Sequence, residues 1–268
     1  MTEQTRDPRF FSTINRSALA INQSAAGAGL TGLLGFVMLF VVAAIFFITE
    51  AYFVSMLTIS LALLVYVTGA ELTKLLLSSV TIFFSSKHLT PQAGQLQETL
   101  VALQSALEFR RDDSGQVMVG AVEQGSKVRL PDNTLARDIQ EVVEKEKSVE
   151  YADYVAHTYY VECHELYDYS AAHFEFVSGA MPLFGLIGTI VGLIAMFDSL
   201  GGDVSVEALS PQLALALKTT LYGAVLSSVY RVIGSRFEQR LKSLDYDVET
   251  FTRALQVVIE NRVKVEVQ

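Results

Sequence analysis

Hydrophobic positions along this chain fall in blocks too long for the core of a soluble fold. Residues 30–49 hold no charged side chain over 20 positions, and 51–70 repeat this over another 20, with only Glu50 between them. At 1.5 Å per residue such a run spans the ~30 Å hydrocarbon core of a bilayer. A third uncharged run covers 22 positions, 176–197. A fourth stretch, 213–230, is apolar apart from Lys218 and a group of hydroxyls, which sets the fourth span at 212–233. In hydrocarbon every backbone polar group must be satisfied within the segment, so these runs predict helices. The pattern gives an all-α integral membrane protein with four transmembrane helices. The first two form a tight hairpin turning at Glu50, and 198–211 forms a short outer loop.

The polar segments follow a helical period. In 95–111 the apolar residues Leu96, Leu100, Leu103, Ala106 and Leu107 share one face. The composition of 112–115 predicts a turn, as does that of 131–133. From Thr134 the helical pattern resumes and is expected to run on through 172 into the third span. In the tail, Phe237, Leu241, Leu244, Val248, Phe251 and Leu255 form one stripe. Segment 71–175 and the tail 234–268 are therefore expected to build one helical domain outside the membrane.

Charge fixes the orientation. Nineteen of the 20 Lys and Arg residues lie in 1–29, in 71–175 or after the fourth span begins to emerge, whereas Glu50 and the 198–207 connection carry only acids. The positive-inside rule then puts both termini and the helical domain in the cytoplasm. The N-terminal extension, 1–29, is polar to residue 24 and does not read as a secretory signal. With 51% hydrophobic and 18% charged residues, the composition agrees with a membrane protein. The net charge of -9 removes nucleic acid as a general partner. One cysteine excludes an internal disulfide framework.

No constellation for an enzyme is visible. His157, Cys163, His164 and His173 are close in sequence, but the seven-residue step separates His157 and His164 by about 10 Å along a helix. His173 turns to the opposite face, so no metal and no cofactor are expected. Gly185, Gly188 and Gly192 lie inside an apolar helix, where their spacing admits a close neighbouring helix. Gly223 and Ser227 continue a small face in the fourth span. Thr189 follows Pro182 by seven positions on nearly one face, while Thr219 and Thr220 sit at similar depth in the fourth span. An isolated membrane threonine usually bonds its own backbone carbonyl four residues back. Three of them beside an interior proline, which frees a carbonyl, suggest instead a hydrated or ion-accepting lining. Lys218 is expected to snorkel outward. No span holds an interior Asp or Glu, the usual intramembrane relay, so a chain that moves protons needs a partner to supply that acid.

Two stretches carry a resemblance. Residues 179–194, GAMPLFGLIGTIVGLI, resemble the third span of MotA-type flagellar stator subunits, and 211–224, PQLALALKTTLYGA, resemble their fourth. Both are similar to the wider MotA/TolQ/ExbB proton channel family. Four spans with an inserted cytoplasmic domain resemble the MotA branch more than the three-span branch. The resemblance implies a homopentamer in the lipid of a bacterial inner membrane. The five copies would surround two copies of a single-span MotB-like subunit whose intramembrane aspartate binds the ion. It implies an ion pathway at Pro182, Thr189, Thr219 and Thr220, and helix packing at Gly185, Gly188, Gly192, Gly223 and Ser227. The transported cation is H+ or Na+, and the Thr219–Thr220 pair resembles the sodium-driven pattern. The implied function is that of an ion-conducting stator subunit, with a cytoplasmic rotor in flagellar members. An ExbB/TolQ-like energiser and a non-conducting membrane scaffold are the alternatives. Neither the N-terminal extension nor 92–160 matches the flagellar pattern.

Overall fold

The computed structural model describes residues 29–85, 89–107, 109–111, 117–119, 127–145, 149–199 and 206–267. Expectations for 1–28 and for the turn at 112–115 lie outside these residues. The chain is predominantly helical, and its helices belong to two compact units. Among the described residues three helices are long and apolar enough to cross a membrane, four if one bent pair counts as a single span.

The first unit comprises residues up to 77 together with 173–232. Helix α1 (Gly29–Ile48) turns back into α2 (Tyr52–Thr68). Glu50 makes the turn at φ 62, and the Ala51 N–H reaches the Phe46 carbonyl at 2.9 Å. That bond is the six-to-one closure of a helix C-terminus. The two helices lie close because Gly32 and Gly35 face the end of α2. A Cβ on Gly32 would stand 2.9 Å from the Tyr66 carbonyl oxygen. The Ser55 hydroxyl adds a cross-helix bond to the Ala43 carbonyl at 2.8 Å.

The second run does not remain straight to residue 70. After Thr68 a 3-10 turn (Gly69–Glu71) leads into α3 (Leu72–Phe84), bent by 109° from α2. The bend has a local cause. Gly69 takes φ 54 and ψ -122, a backbone region in which a Cβ is strained.

The second unit comprises 78–172 and 233–268. Helix α4 (Pro91–Ala106) starts at a Thr90 cap with Pro91 behind it. Strands β1 (Phe109–Arg111) and β2 (Val117–Val119) pair antiparallel. Strand β3 (Lys127–Leu130) leads into α5 (Thr134–Glu144), whose Asn133 side chain accepts from the Ala136 N–H. Helices α6 (Val149–Ser199) and α7 (Val206–Glu260) contribute to both units, and β4 (Lys264–Val267) pairs parallel with β3. The core of this unit gathers Leu96, Leu100 and Leu103 of α4, Ile139 of α5, and Phe251 and Leu255 of α7, with the inward side chains Val128 and Val265 of the strands.

Three expectations need correction. The unit is mostly helical but not all-α, since its described residues include four short strands. Helix α4 stops at 106 rather than 111, because Leu107 turns extended (φ -116, ψ 138) to bury its side chain. The helix from Thr134 breaks after Glu144, where the charged run 144–147 offers nothing apolar to bury.

Candidate functional site

The long helices α6 and α7 meet antiparallel along a face of small residues. A Cβ on Gly185 would lie 3.2 Å from both the Thr219 carbonyl oxygen and the Thr220 Cα. One on Gly188 would lie 2.5 Å from the Thr219 Cβ and Oγ1. One on Gly192 would lie 2.8 Å from the Gln212 carbonyl oxygen and 3.0 Å from the Ala216 Cβ, and one on Gly223 would lie 2.9 Å from the Met181 carbonyl oxygen. All four are buried, and each lets backbone approach backbone.

The three threonines come together at this crossing, though not as equals. Thr219 is fully buried against Gly188, with its hydroxyl 2.9 Å from the Leu215 carbonyl oxygen and 3.1 Å from that of Ala216. Thr220 is exposed and donates to the Ala216 carbonyl at 3.1 Å. Half-buried Thr189 reaches the Gly185 carbonyl at 3.2 Å and, across the helix pair, the Ala216 carbonyl at 3.3 Å. The Thr189 and Thr220 hydroxyls also hydrogen-bond each other. Three hydroxyls therefore converge on one carbonyl oxygen, that of Ala216. Sequence reasoning found the threonines by type and spacing. It missed Ala216, because nothing in an alanine announces which side chains its carbonyl will receive.

Pro182 sits inside α6 with its ring exposed. It has no N–H for the carbonyl four residues earlier, which is that of Ser178. That oxygen does not stand open. The Ser227 hydroxyl donates to it at 2.8 Å, and the Ser178 hydroxyl donates back to the Ser227 carbonyl at 2.9 Å. Ser178 went unnoticed in the sequence, although its place four residues before a helix-interior proline was a usable signal. Below this pair the buried Ser60 and Tyr230 hydroxyls lie 2.9 Å apart, and the Phe174 and Tyr230 rings stack at 6.1 Å.

Elsewhere the polar candidates are structural. Among the described residues no three His, Cys, Asp or Glu side chains are placed to share a metal ion. His157 and His164 both lie against the Tyr160 ring, whose hydroxyl donates to Asp245 at 2.7 Å. His173 bonds the Val67 carbonyl at 3.0 Å, and Cys163 is buried. Lys218 is exposed. Chemically, then, the α6–α7 face offers hydroxyl and carbonyl oxygens without any titratable acid.

Residues 127–250 match the model of the MotA/TolQ/ExbB proton channel family. Motility protein A of Aquifex aeolicus is 37% identical over 79 residues, which is 30% of this chain and 30% of that protein. Chemotaxis protein PomA of Vibrio alginolyticus is 43% identical over 75 residues, 28% of this chain and 26% of that one. The alignments thus span under a third of the relatives' own length. In fold, the chain resembles one in the structure of C. jejuni MotAB, with a TM-score of 0.52 at 16% identity. That likeness covers 87% of this chain and 90% of the other.

Proposed function

We propose that this chain, whose residues 127–250 match the MotA/TolQ/ExbB proton channel family, belongs to that family and is the multi-pass subunit of an ion-driven motor in a bacterial inner membrane. Four spans fit the apolar runs: α1, α2, residues 176–197 of α6 and residues 212–233 of α7. The basic residues flanking these runs support an orientation with both termini and the second unit in the cytoplasm. Five copies surround two single-span partner helices, each carrying an intramembrane aspartate.

The observation that carries the reading is the convergence of Thr189, Thr219 and Thr220 on the Ala216 carbonyl in a helix pair that holds no acid. Their bonds to carbonyls satisfy these hydroxyls within the helix pair, and what supports a pathway is that Thr220 also stands exposed on a face that is otherwise apolar. In the mechanism, a proton enters from outside and neutralises the partner aspartate beside the bonded Thr189–Thr220 pair. The neutral helix prefers a different interface of the ring, and release to the cytoplasm restores the charge and the first preference. The exposed Thr220 and half-buried Thr189 hydroxyls supply two oxygens, well short of the roughly six or more that a hard cation such as calcium takes. A hydrated proton route needs no such shell.

The partner provides the test. Purification of the chain with the product of the neighbouring reading frame should yield a stable complex containing a one-span, aspartate-bearing subunit. Replacing that aspartate with asparagine should stop ion-driven output without dissociating the complex. Output that survives the replacement contradicts the motor and favours a scaffold.

A further inference from the structure

The cross-helix serine pair does more than pack α6 on α7. Most side-chain hydroxyls in the first unit bond carbonyls that can also receive a backbone N–H. The Ser55 hydroxyl reaches the carbonyl of Ala43, and the residue four later, Phe47, has an N–H. The same holds for Ala216, followed by Thr220, and for Ser227, followed by Arg231. Ser178 is different. The residue four later is Pro182, so its carbonyl has no helical donor to fall back on. Ser178 is also buried, and a buried carbonyl without a partner is destabilising.

We infer that Ser227 is a positioning residue whose hydroxyl replaces the N–H missing at Pro182, forming a releasable latch between α7 and the proline break of α6. The geometry supports a two-way clasp, since each serine hydroxyl donates to the other's carbonyl, at 2.8 Å and 2.9 Å, and the two hydroxyl oxygens lie 3.3 Å apart. While the clasp holds, α6 is fixed to α7 one helical turn from the close approach of Gly223 to Met181. When it opens, α6 is left one hydrogen bond short between 178 and 182 and bends there more easily. The latch rests on the motor reading only for the motion it serves. Its chemistry is independent of that reading.

A double-mutant cycle on the full assembly purified in detergent tests the pairing. Ser227→Ala should lower Tm by several degrees in the Pro182 background. Combined with Pro182→Ala it should lower Tm by much less, because residue 182 then supplies the donor within α6. Equal losses in the two backgrounds, or no loss in either, would overturn the latch. Pro182→Leu restores the same N–H and repeats the cycle if the alanine variant does not assemble. In the Pro182 background, Ser227→Thr should keep most of the Tm that Ser227→Ala loses, and equal loss again overturns the proposal. A coupled cycle in an assembly that shows no ion-driven output keeps the latch and removes the motor.

Discussion

At the residue scale the adjacent threonines of α7 have opposite surroundings, and their substitutions should separate accordingly. Thr220 is exposed and bonded to Thr189, so Thr220→Val keeps volume while removing an oxygen from the open face. Ion-driven output should fall to background while native electrophoresis still shows the full assembly; unchanged output would make Thr220 a packing residue. Thr219 fills the space that Gly188 leaves. Gly188→Ala should therefore cost about 1–3 kcal/mol through overpacking. Adding Thr219→Ala should recover much of that in a thermal melt, whereas independent effects would contradict the contact. The same geometry bears on the ion. Thr219→Ala should leave output insensitive to external sodium at fixed pH and voltage, as in the wild type. A sodium response that Thr219→Ala weakens would restore the sodium reading. The glycine and threonine positions were legible because their spacing places them on a helix face. The acceptors, Ala216 and Ser178, were not, since backbone carbonyls are chosen by rotamer and helix register.

Elements repeat the lesson with different physics. The long apolar runs set the places of α1, α2 and the membrane-length parts of α6 and α7, because run length and charge exclusion dominate there. The bend after Thr68 was hidden by an apolar sequence that continues through it, and Gly69 was its one mark. Gly69→Ala forces a Cβ into a glycine conformation and should cost about 1–3 kcal/mol. A melt unchanged within error would show the bend to be unstrained. Strand β4 could have been read from the alternation in Lys264-Val-Glu-Val, but its partner β3 lies more than a hundred residues away and no local signal links them. Tyr159 ties α6 to α5 through bonds to Asp138 at 2.9 Å and Thr134 at 3.2 Å. Burial pushes its hydroxyl up to about 12; the Thr134 bond opposes this and the Asp138 carboxylate adds to it. The raised value favours the protonated form in the folded state, so this stabilisation is complete below pH 10 and is lost as pH rises through about 12. Tyr159→Phe should flatten that alkaline loss in circular dichroism, and an unchanged slope would assign it to other tyrosines.

At the scale of the whole molecule, the exposed surface of the first unit is strongly apolar. Met38 is 72% exposed, Ile48 80% and Leu183 61%. Such a surface needs lipid or further copies of the chain to cover it. Native mass spectrometry in detergent should resolve five chains per assembly, and a stable monomer would contradict the ring. If the ring passes a cation beside the Thr189–Thr220 pair, that passage is measurable as ion flux. The chain and its aspartate-bearing partner would be reconstituted in liposomes loaded with a pH-sensitive dye, and a membrane voltage imposed in sodium-free buffer. The wild-type complex should acidify the lumen, and Thr220→Val at equal protein incorporation should not. Equal flux from both, or no flux of either proton or sodium from an intact wild-type complex, would contradict it.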